Sequence, residues 1–476
     1  MTKKRSNTSN EFDVIVIGAG PAGENLAGRC ADHGLSTVIV ERELVGGECS
    51  YWGCMPSKVL LRPGDVLAAA HRVPGAASAV TGIVDVDATL RSRDAIVSHL
   101  RDEGQLQWLD DKDVALRRGA ARLAGHRRVQ VDHLDGSTTL LVARAAVVLA
   151  TGTSAALPAI PGLADAQPWT NREATGVKDI PARLAILGGG AIGVEMAQAF
   201  RRLGAREVTI IEGAPRLLAR EEPFAGEEVR AALEAQGITV IVDAKVAAVE
   251  RTHLSGPVTI RYATAAETQT RSLAADELLV AAGRRPSTGD LGLETVGLQP
   301  GRFVPVDDQL RAQGEGLEWL YAVGDCNGRS LLTHMGKYQA RIAADVIAGR
   351  SITARADNGI VPRVTFTDPQ VAAVGVTEAQ ARDDGINVRA VSYPLGNVAG
   401  AVTQGQGVNG TAFLVIDDDK RTIVGATFTG PAVQELLHSA TIAIATAATL
   451  DDLWHAVPAF PTVSEVWLRL LEAYGL

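Results

Sequence analysis

One local pattern occurs twice in this chain of 476 residues, and it leaves little choice of fold. Phe12 to Ile17 is a β-branched apolar run ending in Gly18-Ala19-Gly20-Pro21-Ala22-Gly23. A helical pattern follows (Leu26, Ala27, Cys30, Ala31), then a second apolar run, Ser36–Val40, closed by Glu41. The spacing predicts strand, tight turn, helix and strand. The glycines let the backbone approach a pyrophosphate and the helix N-terminus faces its charge. The acid, eighteen residues after the last glycine, accepts from a ribose hydroxyl. Ala185–Leu187 opens the second copy, with Gly188-Gly189-Gly190-Ala191-Ile192-Gly193, a helix through Phe200, and a strand Glu207–Ile211 ending at Glu212. Two complete fingerprints imply an α/β fold with two bound dinucleotides.

Between the copies lies Gly46-Gly47-Glu48-Cys49-Ser50-Tyr51-Trp52-Gly53-Cys54-Met55-Pro56-Ser57-Lys58, which holds two of the four cysteines. A pair this close can form a disulfide if the backbone between them turns over, and the flanking glycines permit such a turn. Cys30, on the face of the first predicted helix, reads as a small core residue, and Cys326 has no motif partner.

The segment resembles the redox-active disulfide region of the class I pyridine nucleotide–disulfide oxidoreductases, the family of dihydrolipoamide dehydrogenase, glutathione reductase and mercuric reductase. Gly46, Gly47, Cys49, Gly53, Cys54, Pro56, Ser57 and Lys58 match its fixed positions. Further motifs follow in family order. Ala150-Thr151-Gly152 closes a strand, Ala281-Ala282-Gly283-Arg284-Arg285-Pro286 ends the second nucleotide region, and Leu320–Asp325 resembles the second flavin motif. Val361–Pro369 and Val374–Glu378 match the opening of a dimerisation domain. The similarity spans roughly residues 11 to 467. It implies two Rossmann-like domains and a C-terminal α+β dimerisation domain. The expected bounds are 1–155 (FAD, first part), 156–280 (NAD(P)), 281–350 (FAD, second part) and 351–476 (interface).

The resemblance assigns the first site to FAD, through Gly18, Gly20, Pro21, Ala22, Gly23, Glu41, Gly47, Lys58, Thr151, Gly152, Gly324 and Asp325. A helix starting near Thr333–His334 would aim its positive end at the flavin. The second site, with Gly188, Gly190, Ile192, Gly193, Glu212 and Gly283, would take the nicotinamide cofactor. Glu212 favours a free 2′-hydroxyl, hence NADH, while the nearby Arg216 leaves some room for NADPH. The implied mechanism runs from NADH through the flavin to a Cys49–Cys54 disulfide. Cys54 would be the charge-transfer thiolate, Cys49 the thiol that meets the acceptor, and Lys58 with Glu195 an ion pair near the flavin. No metal site is expected.

Two departures bear on the acceptor. The family's disulfide reductases end in H-x-H-P-T-x-S-E, the second His coming from the partner subunit as the proton carrier. Here Pro458-Ala459-Phe460-Pro461-Thr462-Val463-Ser464-Glu465 puts Phe460 at the base position, and Glu465 has no imidazole to orient. His455, in a segment that reads as a helix end, is expected to pack or cap. Phe-Pro resembles the mercuric reductase branch. The ending Leu471–Leu476, without a second cysteine pair, argues against a true mercuric reductase and against a large thioredoxin reductase. The second departure is Tyr51-Trp52 between the cysteines, readable equally as rings packed inward or as a stacking surface for a flat acceptor.

A net charge of −9 is unsuited to nucleic acid. The apolar runs Ala143–Ala150 and Ala440–Leu450 are too short to span a membrane, and no apolar stretch after Met1–Asn10 suggests a signal peptide. The chain therefore reads as a cytoplasmic homodimer, where a disulfide is usually catalytic. The leading expectation is an NADH oxidoreductase passing electrons to a quinone, metal ion or other small oxidant. Two alternatives remain. One is a lipoamide-type or low-molecular-weight disulfide reductase with a proton donor other than His. The other is a nucleotide-binding redox sensor with little turnover.

Overall fold

The computed structural model describes residues 9–253, 255–265 and 269–476. Residues 1–8, from the stretch read as lacking a signal peptide, lie outside the described residues. The chain divides into two compact units.

The first unit gathers residues up to Pro56, Asp94–Ala155 and Arg284–Asn358. Its sheet runs Ala115–Arg118, Thr37–Glu41, Glu11–Ile17, Thr138–Leu149, Arg128–Asp132, Ala120–Leu123, with Leu320–Ala322 also paired to Thr138–Leu149. Val14, Ile15, Val16, Val38 and Ile39 are fully buried, which explains the β-branched runs: strands covered on both faces carry no polar alternation. Each such side chain contributes roughly 1.5–3 kcal/mol relative to exposure. Ile17 stands level with Val40 and with Leu149, and Leu149 with Ala322, all in parallel register. Gly18, Glu41, Thr151 and Gly324 therefore lie at or just past strand ends on one carboxyl edge, where ligands of parallel sheets bind.

The second unit gathers Ser57–Arg93, Ala156–Gly283 and Gly359–Leu476, apart from the residues not described. Its parallel sheet has the order Thr239–Ile241, Glu207–Ile211, Arg183–Leu187, Glu277–Val280. Leu187 pairs with Ile211 and with Val280, so Gly188, Glu212 and Gly283 follow strands that end level. A three-stranded antiparallel sheet, Ala244–Arg251, Val258–Thr264 and Arg271–Ala275, belongs to the same unit. The C-terminal part is a five-stranded antiparallel sheet, Arg363–Thr365, Gln370–Gly375, Thr422–Gly430, Thr411–Asp417, Val388–Pro394. Helices Val433–Thr446 and Val466–Tyr474 pack on it through Leu437, Ala440, Leu470 and Leu471. The expected α/β architecture, two nucleotide-binding folds and an α+β C-terminal part, is the one observed.

Candidate functional site

In the first unit the glycine-rich turn has the geometry its sequence requires. Gly18 has φ +100°, and a Cβ there would stand 2.5 Å from Ala150 O. A Cβ on Gly23 would overlap Gly18 O outright. Gly20 and Gly152, in contrast, have no atom within 4 Å of a Cβ position, so their backbone borders open space. This is the cradle a dinucleotide phosphate needs, and the residues fit FAD. Pro21 is the first residue of helix Pro21–Asp32, and Ala22 packs on Gly324 and Gly336. Gly47, at φ +59°, lies so close to Gly20 Cα that a Cβ would be 2.7 Å away.

Glu41 does more than wait for a ribose. Its Oε2 accepts from Ala19 N–H (2.7 Å) and its Oε1 from Glu43 N–H (2.7 Å), so it holds the turn in shape. Asp325 accepts from the Thr153 hydroxyl (2.7 Å), which in turn accepts from Arg284 Nε (2.7 Å). Burial pushes the Asp325 carboxyl upward. Gly324 N–H donates to the fully buried Gln339 (2.8 Å), which the motif reading did not name.

Cys49 lies in the helix Gly47–Tyr51, and Cys54 opens the helix Cys54–Arg72. Both are thiols here. The Cys49 thiol is hydrogen-bonded to Cys54; that bond first, and burial second, push its pKa well above the ordinary range. In so close a pair the two thiols titrate together. Thr333 Oγ1 stands 3.3 Å from Cys54 Sγ and begins helix Thr333–Ile347, whose N-terminus favours a thiolate. The expected helix start is therefore correct. Its useful side chain is the Thr333 hydroxyl, while His334 is exposed. No local pattern could have revealed this, because 279 residues separate Thr333 from Cys54. Tyr51 is packed inward, 3% exposed, so the reading as an acceptor platform is overturned for it. Trp52 is half-buried, its ring centroid 5.6 Å from that of Tyr51.

The second unit repeats the first turn almost atom for atom. A Cβ on Gly188 would stand 2.5 Å from Ala281 O, one on Gly193 would overlap Gly188 O, and Gly190 faces open space. This cradle fits a nicotinamide dinucleotide. Ile192 is partly exposed beside it, and Gly283 has φ +138°. Glu212 accepts from Gly189 N–H and from Ala214 N–H (2.6 Å), as Glu41 does in its own turn. Arg216 is folded back, donating to the carbonyls of Leu218 (3.2 Å), Ala219 (2.9 Å) and Glu221 (2.9 Å).

Lys58 and Glu195 meet as expected, Nζ to Oε2 at 2.8 Å, with Glu195 only 4% exposed. The other oxygen accepts from Phe366 N–H (2.9 Å), and Lys58 Nζ lies 4.7 Å from the Phe366 ring centroid. Glu465 is engaged within its own chain: Oε1 accepts from Arg469 Nη2 (2.7 Å) and Oε2 from Ala399 N–H (3.2 Å). Arg469 was not anticipated, although its position one helical turn after Glu465 is a readable signal. Phe460 is 77% exposed. His455 is exposed and caps the C-terminal end of helix Leu450–Trp454, its N–H on the Asp452 carbonyl, as expected of a helix end.

Two nucleotide cradles, a paired-thiol turn and an antiparallel C-terminal sheet together define a flavin-dependent dithiol oxidoreductase. Residues 12–343 match the family model "Pyridine nucleotide-disulphide oxidoreductase", and residues 361–470 match that family's dimerisation domain. The chain belongs to this family and is an FAD-dependent, NAD(P)H-linked oxidoreductase. It is 35% identical to a dihydrolipoyl dehydrogenase of Chlorobaculum tepidum over 463 residues, covering 96% of this chain and 95% of that one. It is 30% identical to a mercuric reductase of Staphylococcus aureus over 462 residues, covering 96% and 82% respectively. A solved structure of similar fold is the Cu(II) complex of the HOCl-induced flavoprotein disulfide reductase RclA of Escherichia coli. It superimposes with a TM-score of 0.83 at 25% identity, covering 98% of this chain and 99% of that one. No helix among the described residues is long and apolar enough to cross a membrane.

Proposed function

We propose that this enzyme is a cytoplasmic homodimer that oxidises NADH and passes the electrons through Cys49 and Cys54 to a small oxidant, a metal ion or quinone, in preference to a disulfide. The four-segment domain division given above is part of that reading. The observation that carries it is the state of the base position: Phe460 replaces the imidazole, and Glu465 is committed to Arg469 and Ala399. The names of the relatives, mercuric reductase and a reductase solved with Cu(II), support a metal-ion acceptor without identifying it.

When bound, FAD supplies two-electron transfer between the nicotinamide and the disulfide. The chain's own residues do the rest. The Gly18–Gly23 and Gly188–Gly193 turns seat the two pyrophosphates. Lys58, held by Glu195, presents a fixed positive charge, and Asp325 orients the ribityl chain. After NADH and one proton have reduced the pair to two thiols, Cys49 keeps its proton. Cys54 carries the thiolate beside the Thr333 hydroxyl and the N-terminus of Thr333–Ile347. An acceptor then takes two electrons, or two acceptors one each, and the disulfide re-forms with loss of the Cys49 proton, that of Cys54 having already passed to solvent.

Anaerobic titration with NADH, followed by a panel of metal ions, quinones, lipoamide and low-molecular-weight disulfides, tests this. Fast reoxidation by ions or quinones and slow reoxidation by disulfides is expected. A disulfide at the head of the panel would make it a reductase with an unrecognised base, and reduction without reoxidation would make it a sensor.

NADH should outperform NADPH by about tenfold or more in kcat/KM. The Glu212 carboxylate repels a 2′-phosphate, and Arg216 is spent on three carbonyls. Glu212→Gln, which keeps one oxygen for the turn, should narrow that ratio. A wild-type preference for NADPH would overturn the assignment.

A further inference from the structure

The helix that carries Cys49 is only five residues long, too short to hold itself together. What holds it is a chain of hydrogen bonds that begins at the nucleotide turn. Ala19 O accepts from Gly46 N–H (2.8 Å), and Ala19 N–H donates to Glu41. Glu41 also holds Glu43 N–H, and Arg118 links Glu43 O to the buried carboxylate of Asp102. Asp102 accepts from Val45 N–H (2.8 Å). The last link is Tyr51, whose hydroxyl donates to Val45 O (2.9 Å). The ring lies where a Cβ on Gly46 would be 2.8 Å from Cε2. The short helix is thus tied at its start, through Gly46 N–H, to Ala19 O and at its end, through Tyr51, to the residue two before its first. Burial, and next the Asp102 charge, push the Tyr51 phenol up to about 12, so it remains a donor throughout the working range.

We propose that Tyr51 is a positioning residue for Cys49: its bond to Val45 closes the turn, keeps the Cys49 sulfur against Cys54, and limits its reaction with external reagents. The idea rests on the reading of Cys49 and Cys54 as the redox pair. It gives one of the two unusual residues between the cysteines a task. A Cys49 that cannot swing outward suits a small acceptor that comes to the sulfurs, and disfavours a mixed disulfide with a bulky thiol.

The two buried cysteines provide an internal reference. Cys30 and Cys326 are fully buried, and burial pushes each thiol up to about 12. The flavin-loaded protein, reduced with dithiothreitol and freed of it, is treated briefly with limiting iodoacetamide, and mass spectrometry reads each cysteine. Tyr51→Phe keeps the ring and removes the hydroxyl, with its bond to Val45 O and its longer contact to Arg101 O (3.5 Å). Labelling of Cys49 should rise about threefold to tenfold, the range expected for loss of a single neutral hydrogen bond. Cys54 should change less than about twofold, and Cys30 and Cys326 should stay unlabelled. Asp102→Asn keeps an acceptor for Val45 N–H but weakens the hold of Arg118, and should give the same pattern at smaller amplitude. It also replaces Tyr51→Phe if that variant does not load flavin. Unchanged Cys49 labelling, or a parallel rise at all four cysteines, would overturn the proposal. A separate arm counts label on wild-type protein before and after anaerobic NADH. If NADH exposes no new thiols, the redox reading of the pair fails, while the Tyr51 result stands by itself.

Discussion

Phe460→His will raise turnover with lipoamide or glutathione disulfide more than turnover with a quinone, and the gain will grow when Arg469→Gln is added. The reason is protonic. Exchange between Cys49 and an external disulfide needs a group that takes and returns a proton at sulfur, and a positioned general base is worth about 10²- to 10⁴-fold. Phe460 cannot supply one, so wild-type disulfide turnover should lie on the order of 10²-fold or more below that of a relative with the imidazole. Glu465 is present to orient a new ring, but Arg469 holds one of its oxygens at 2.7 Å. The single variant therefore has an unoriented base. Removing the guanidinium frees Oε1, while Oε2 keeps Ala399 N–H, and the double variant should exceed the single one. Quinone or metal-ion turnover, which requires no proton transfer at Cys49 of this kind, serves as the control. High disulfide turnover by the wild type would sink the idea.

Gly23→Ala and Gly193→Ala should separate the two cofactors. Each added methyl would overlap a backbone carbonyl oxygen, Gly18 O in the first case and Gly188 O in the second. Backbone cannot yield as a flexible side chain can, so each turn must open or the helix behind it must shift. Gly23→Ala should purify with little or no FAD, read by absorbance after denaturation. Gly193→Ala should remain yellow, because the first turn belongs to the other compact unit. Its flavin should still be reducible by dithionite yet respond to NADH at least about 10²-fold more slowly. A colourless Gly193→Ala, or a Gly23→Ala with full flavin, would show that the two turns do not act independently.

Much of this protein is legible along the chain because its chemistry sits on local geometry. The glycine turns are constrained by a few consecutive dihedral angles and by the helix and strand that flank them. Gly18, Gly23, Gly188 and Gly193 could therefore be assigned structural tasks before any fold was known. The Lys58–Glu195 pair, whose members lie 137 residues apart, follows from the resemblance to the family and not from spacing along the chain.

Some residues resisted. Glu41 and Glu212 stand at ribose-acceptor positions in the sequence, yet each first serves the backbone of its own turn, a use visible only once strand and turn are folded together. Tyr51 was ambiguous because an aromatic side chain between two glycines fits equally a core or an exposed platform. Burial decided it.

Local spacing along the chain thus reveals the two nucleotide folds and the dithiol turn, because each depends on residues a few positions apart, while the missing base is legible only through the resemblance to the family's C-terminal motif. How those groups are held is set by packing in three dimensions: Thr333 beside Cys54, Arg469 on Glu465, Arg216 turned onto its own loop, and Asp102 bracing the Cys49 turn. The physical reason is that a hydrogen bond is directional and short-ranged. Its partner is chosen by which backbone segments the packed sheets bring within about 3 Å, and sequence spacing carries almost no information about that choice when the partners lie tens or hundreds of residues apart.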